Sequence, residues 1–325
     1  MHGHGARVAE ELTRAVEAGE LDLPLPGAGN TRERWRCFRD LAERDLSLAR
    51  LAEGHTDAAA ILAELDAPPP EPGQVWGVWA AHPPGPVLRA VPSNGRWILH
   101  GTKPFCSGAH TCTHALVGAE TEAGQRRLFA VDTGRTAPVP DTWASAGMAD
   151  SDTLTVTFDD VPADPLGAPG AYTERPGFHH GGAGVAACWF GGALALTAPL
   201  AARAASDSAD AHTRTAFGRA DRDLHAAGAV LELAAEEIDA DPLDGKGQAA
   251  LRARRVRAVV ARACGDVLRG TGEALGAGPL AADARYARTA ADLAVYLRQH
   301  HADRDLAALG GEAAGEEGNT YGLRR

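Results

Sequence analysis

The stretch APPPEPGQVWGVWAA (67–81) decides how the rest of the chain is read, because the texture of the sequence changes across it. Consecutive prolines remove backbone donors and clash with the preceding turn, so no helix continues through 68–72. Beyond them VWGVWAA (75–81), RWILHG (96–101), HALVGAE (114–120), RRLFAVD (126–132) and TLTVTFDDV (153–161) are short runs rich in Val, Trp, Leu, Thr and Phe. Gly, Pro, Asn and Asp separate them at the spacing of an antiparallel sheet or barrel, which we expect to end near Gly170.

Outward from this block the period is helical. Upstream, Val8, Leu12 and Val16 recur every four residues with charges between them, the stripe of an amphipathic helix. After the loop LPLPGAGN (23–30), Asn30 or Thr31 is placed to cap a second helix carrying Trp35, Phe38 and Leu41. A third stretch runs from about Asp45 to Leu65. Downstream, helix period resumes near Gly177, with breaks at Ser206–Asp210, Asp241–Gly247 and Gly276–Pro279. This predicts four long helices, packed most simply as a bundle, and a frayed polar tail GGEAAGEEGNTYGLRR (310–325). The expected division is 1–73 helical, 74–172 β and 173–325 helical.

Composition narrows the function classes. The chain has 325 residues, 45% of them hydrophobic, and a formal net charge of −11, which gives no general attraction to nucleic acid. Lys103 and Lys246 are its only lysines. The five cysteines (37, 106, 112, 188, 264) show no metal-knuckle or redox spacing and read as free thiols in a reducing cytosol; no dedicated metal site is expected. No signal-peptide core or uninterrupted apolar membrane span is read from the sequence, so the expected location is cytoplasmic. The helix–strand–helix order is not the alternation of a Rossmann fold, and no Gly-rich dinucleotide fingerprint or P-loop is present.

Four strings, in order along this pattern, resemble the acyl-CoA dehydrogenase-like flavoprotein superfamily: GRWILHGTKPFCSGA (95–109), GMADSDTLTVTFDDVPAD (147–164), RTAFGR (214–219) and EALGAGPLAADARYAR (273–288). The resemblance implies an α+β fold with N-terminal helices, a central antiparallel β-barrel domain and a C-terminal four-helix bundle. It also implies an FAD cofactor. By position, Phe105 would cover the isoalloxazine, and Cys106 and Ser107 would bond to it. Arg214, in the same string as Phe217, resembles the arginine that reaches a neighbouring subunit's pyrophosphate. His225 stands where the family has a glutamine on the adenosine. The turn Leu275, Gly276, Ala277, Gly278 would let backbone approach the diphosphate. A homodimer or homotetramer follows from these shared elements. On residue chemistry alone Ser107 is a turn residue bonding its own backbone, Arg214 a solvated arginine and 275–278 a helix–helix turn.

The departures concern the chemistry. A dehydrogenase of this superfamily needs a carboxylate to remove an α-proton while hydride leaves for the flavin. In DLAVYLRQHHADRD (292–305) the matching position is Leu297, and the alternative site in HHGGAGVAACWFGG (179–192) offers glycine. WAAHPPG (79–85) puts Ala81 and His82 where the resemblance implies Thr and Glu, and the N-terminal region is short. Histidines are what the chain offers instead: His179 and His180 at the β-to-helix junction, and His300 beside His301. Imidazole titrates near neutrality and can act as a general base. Neighbours on a helix face different ways, so at most one of each pair can face a pocket. The polar run HHADRD reads equally well as a solvated helix end. Three readings follow: a flavin oxidoreductase acting on an acyl thioester or related small substrate with an unusual base; a flavin-dependent monooxygenase, which needs no α-proton base; and a noncatalytic binding or assembly member.

Overall fold

The computed structural model describes residues 3–85 and 87–315. Three helices open the chain, α1 (Gly3–Glu17), α2 (Thr31–Arg44) and α3 (Leu46–Glu64). Asp45 caps α3 by accepting from the backbone N–H of Ser47 and Leu48. Asn30 occupies the cap position of α2, but its side chain makes no capping bond. A distant carboxylate does that work: Asp239 accepts from the N–H of Gly29 and Thr31 and from the Thr31 hydroxyl at 2.6 Å.

Seven strands follow: β1 (Trp76–Trp79), β2 (Arg89–Ser93), β3 (Arg96–Cys106), β4 (His114–Thr121), β5 (Arg126–Asp132), β6 (Ala137–Val139) and β7 (Leu154–Leu166). All lie in one sheet, and the pairings β4–β2–β3–β7–β5 return to β4. The sheet is not wholly antiparallel as expected, because β1 and β2 both run parallel to β4. Each reaches β4 over an intervening crossover, whereas the strands linked by tight turns, β2–β3 and β4–β5, pair antiparallel.

The helical remainder comprises α4 (Ala171–Glu174), α5 (Pro176–Ala204), α6 (Ala211–Ala240), α7 (Ala249–Leu275), α8 (Ala277–Ala282), α9 (Ala284–Tyr296) and α10 (Asp303–Gly315), with a 3-10 turn at Leu297–Gln299. The expected breaks are present, but only three helices are long; the fourth expected helix is divided at 297–302 between α9 and α10. Of the tail expected to fray, 310–315 are helical, and 316–325 lie outside the described residues.

α5 is long and apolar enough to cross a membrane by length and composition alone, but 61% of its most apolar window is buried inside the protein, as in a core helix. Its central residues Ala186–Trp189, Ala193 and Leu196 join Trp35 and Phe38 of α2, Leu224 and Leu231 of α6 and Val256 and Val260 of α7 in the largest apolar core. Small residues permit this closeness. A Cβ on Gly191 would collide with the carbonyl of Arg39 on α2. A second core joins α1 and α3 to the sheet through Val8, Leu12, Leu51, Trp79, Leu99 and Phe129. α3 therefore has apolar neighbours on both sides, and fourteen of its nineteen residues are buried.

Candidate active site

The turn after β3 is held by the chain before β7. Gly108 and Ala109 donate to the carbonyls of Ser151 and Asp152, and the His110 N–H bonds the Asp152 carboxylate at 2.6 Å. Phe105 sits on this turn at φ +61° and is 51% exposed, so an aromatic ring is presented to the outside in a backbone region that costs a bulky residue strain. Such strain marks a position that the fold over-determines. The Ser107 hydroxyl accepts from Thr153 at 2.9 Å, which leaves its own proton free to donate. Its carbonyl accepts from the Trp79 indole at 2.9 Å. Cys106 differs from its neighbours: its thiol is wholly buried, donates to the Lys103 carbonyl at 3.2 Å, and burial pushes its pKa far up. Its side chain faces the sheet interior, so only its backbone could serve a ligand outside. Lys103 is buried too; its ammonium donates to the Gly118 carbonyl at 2.6 Å, and burial pulls its pKa down to about 8.

The histidines divide. His180 is buried, with Nε2 at 3.0 Å from the carbonyl of Pro242, and so packs against the α6–α7 connection. His179 is half-buried, its ring edge-on to Phe178. Burial lowers the pKa of both. His300 is half-buried, its pKa also lowered by burial, and His301 is exposed near Asp305. Arg257 of α7 joins the two histidine segments, donating to the carbonyls of Gly182 and Gln299, each at 2.7 Å, with its guanidinium 4.8 Å from the centre of the Trp189 ring.

Of the glycines at the start of α5, Gly182 faces open space, whereas Gly177 and Gly181 face carboxylates. The Cβ that Gly181 lacks would lie 2.9 Å from an Asp57 oxygen, and the one Gly177 lacks would strike the Glu64 carboxylate. Carboxylates are therefore present here, supplied by α3. Arg50, Glu53 and Asp57 share one face of α3 by their spacing. Arg34 of α2, 1% exposed, holds Asp57 at 2.7 Å and the Thr56 hydroxyl at 3.1 Å, and Arg50 pairs with Glu53. Burial, opposed by Arg50 and reinforced by Asp57, raises the Glu53 pKa to about 7. Cys188 of α5 and Tyr296 at the end of α9 feel the charge of Glu53; both are buried, and burial drives both pKa values upward. Among the described residues the buried Trp189 indole nitrogen has no hydrogen-bond partner. Leu297, where the resemblance implies a carboxylate, is 3% exposed and part of the apolar core.

Three further groups lie near this region. His55 of α3 is buried and accepts the Trp76 N–H on Nδ1 at 3.2 Å, so neutral His55 carries its proton on Nε2. Asp292 of α9 is 3% exposed, accepts the Met148 N–H at 2.6 Å, and is raised by burial to about 7. Arg50 links the two halves of the region, since its charge is felt at Cys112 beside the Ser107 turn as well as at Cys188 and Tyr296.

The remaining candidates form a separate surface. Phe217 and His225 of α6 line a groove of about 620 Å³ with Phe190, Leu194 and Ala198 of α5 and Glu43 at its rim. Arg214 is exposed one turn before Phe217. Leu275 is half-buried, and Gly276, at φ +68°, ends α7 with Gly278 exposed beyond it. The groove lining includes none of Phe105, Cys106 and Ser107. Among the described residues one group of three potential metal ligands, His100, Asp159 and Asp160, comes together, and all three are exposed. The five cysteines are free thiols.

Sequence reasoning missed Glu53, Asp57 and Asp292. The available signal was α3 itself: LARLAEGHTDAAAIL has small or apolar residues around its whole circumference, so its charges had no solvent face to occupy.

No family model matches the chain. A dibenzothiophene monooxygenase of Rhodococcus erythropolis is 35% identical over 95 residues, which is 26% of this chain and 23% of that protein. The amino sugar nitrososynthase RubN8 of Streptomyces rubradiris is 37% identical over 91 residues, 25% of this chain and 22% of that protein. The chain thus matches less than a quarter of the length of either relative. Solved structures match throughout. The complex of TdsC from Paenibacillus sp. A11-2 with FMN and indole superposes with TM-score 0.76 at 19% identity, covering 95% of each chain. A nitrososynthase from Micromonospora carbonacea var. africana superposes with TM-score 0.77 at 18% identity, covering 97% of this chain and 98% of its own. The chain therefore shares the fold of these two solved structures over nearly its whole length.

Proposed function

We propose that this protein is a flavin-dependent monooxygenase that oxygenates a small molecule. The observation that carries the reading is Leu297, an apolar core residue where a dehydrogenase of the superfamily requires a carboxylate. Likeness to structures of a dibenzothiophene monooxygenase and a nitrososynthase over nearly the whole chain supports it. The residues fit a flavin. Phe105 offers an exposed aromatic face, and Ser107 a hydroxyl with a free proton on a clamped turn, suited to a ring that gains negative charge on reduction. Bound there, a reduced flavin would supply the activation of oxygen; the protein would orient substrate and manage protons. FMN is the first form to test because solved neighbours hold it, and FAD, with Arg214 and the 275–278 turn on its diphosphate, is the second. The division at 1–73, 74–172 and 173–325, a soluble cytoplasmic location and a homo-oligomer belong to the same proposal.

One observation supports the dehydrogenase as a second reading: the buried Glu53 carboxyl is close enough for its charge to be felt at Tyr296, the residue before Leu297. A single experiment separates the two. The protein is loaded with FMN or FAD and treated anaerobically with saturated acyl-CoAs of several chain lengths. Monooxygenase chemistry predicts an unchanged flavin spectrum, and substrate-dependent oxygen consumption once a reductant is supplied. Rapid bleaching by an acyl-CoA would establish the dehydrogenase instead. Failure to retain either flavin would overturn both and leave a noncatalytic member.

A further inference from the structure

We propose that the cavity between α1, the end of α2 and α9 binds a phosphate group, as inorganic phosphate or as the dianionic end of a small ester. The cavity measures about 400 Å³ and is lined by Arg7, Arg44, Asp45, Arg285 and Arg288. Four guanidinium groups from three helices thus meet around one space, in a chain whose formal net charge is −11. Like charges repel, so each group must be held in place, and an anion between them relieves the repulsion. Every one of the four has a tether. Arg285 donates to the Glu43 carbonyl at the end of α2, at 2.9 Å. Arg44 pairs with Glu11, and Arg7 lies 3.4 Å from Asp45 and 3.8 Å from Glu11. Arg288 lies 3.7 Å from Asp150.

These tethers aim the arginines and leave donors over, because a guanidinium carries five N–H groups. Arg285 spends its bond on a neutral carbonyl, so its charge has no carboxylate partner among the described residues. Glu11 and Asp150 hold their arginines without lining the cavity. Asp45 does line it, but one of its oxygens accepts from the Ser47 and Leu48 N–H groups and the other meets Arg7. The space is therefore bordered by an excess of positive charge. The side chains of Arg7 and Arg44 are more than half exposed, so a ligand enters from solvent without rearrangement. A phosphate presents at least three free oxygens to several forks at once, where a carboxylate presents two. No aliphatic or aromatic side chain lines the cavity, so recognition rests on the phosphate, with room beside it for a small organic body. None of Phe105, Ser107, Arg214 and the 275–278 turn lines the cavity, so the site is independent of the flavin reading.

Isothermal titration with inorganic phosphate, at constant ionic strength set by sodium chloride, tests the site. One phosphate per chain should bind, and Arg285→Ala or Arg44→Ala should each weaken binding about tenfold or more. Arg285→Lys keeps the charge and loses the fork, so its effect should be smaller than that of Arg285→Ala. Arg262→Ala removes an arginine of α7 that is 81% exposed and outside the cavity, and should change nothing. Thermal unfolding shows that each variant is folded: phosphate should raise the Tm of wild type and Arg262→Ala, and hardly that of Arg285→Ala. Phenyl phosphate separates the two sources, since binding like that of phosphate admits esters and exclusion restricts the site to the free ion. No binding to wild type, or an equal loss in Arg285→Ala and Arg262→Ala, would overturn the proposal and leave a surface network of ion pairs. Loading with FMN should leave the phosphate affinity unchanged. Competition between the two would also overturn it, by making the cavity the seat of the flavin's own phosphate.

Discussion

Replacing Asp292 by Asn should stabilise the protein above neutral pH and leave it nearly unchanged in acid. Asp292 is 3% exposed, and burial lifts its pKa from the ordinary 3.8 to about 7 against the opposing Met148 N–H bond. A carboxyl whose folded pKa is raised contributes its full stability below the unfolded value. Between about pH 4 and pH 7 the unfolded chain ionises and the folded one does not, so stability falls, and the whole loss is in place above pH 7. The gap corresponds to about 4 kcal/mol at about 1.4 kcal/mol per pH unit. Asn keeps an oxygen to accept the 2.6 Å bond from Met148 and removes the charge, but adds two amide hydrogens that need partners. A net gain of about 2–4 kcal/mol at pH 8 is the expected outcome. Urea unfolding of wild type and variant at pH 4.5 and pH 8 measures it. Taking the difference between the two proteins cancels titrations that they share, including that of Glu53. A variant less stable than wild type at pH 8, or a difference independent of pH, would refute the reasoning and show that the ionised carboxylate supports the 147–151 turn.

Gly191→Ala should cost about 3 kcal/mol in chemical denaturation, because its Cβ would meet the α2 backbone at Arg39, where nothing flexible can yield. Arg214→Ala should weaken flavin retention about tenfold or more, read by ultrafiltration, if its guanidinium bonds a phosphate oxygen; unchanged retention would remove it from the cofactor site. Light scattering should give a dimer or tetramer, and Phe217→Glu, which puts a charge into the apolar α5–α6 groove, should dissociate it. A wild-type monomer that still holds flavin would exclude a shared site.

How far the sequence could be read differs between elements for physical reasons. The proline run at 68–72 and the clusters at 206–210 and 241–247 ended helices where expected, because Pro, Gly and Asp act locally. The parallel pairing of β1 and β2 with β4 was not legible, since alternation within a strand fixes which face is buried and says nothing of its partner's direction. The site divides along the same line. Phe105 and Ser107 were singled out by a local string, and the residues 151–153 that hold their turn lie beside them in the sheet. A carboxylate was sought at Leu297 and in 179–192, and His179, His180 and His300 were offered in its place, because the chemistry was assumed to stay on the elements the resemblance assigns. In the fold, the glycines at 177 and 181 make room for Glu64 and Asp57, so side chains from α3 fill positions that α5 leaves empty. An absent carboxylate on one helix is therefore not an absent carboxylate in the site. A buried polar residue has to be sought on whichever element lacks a solvent face, and for this chain that element is α3.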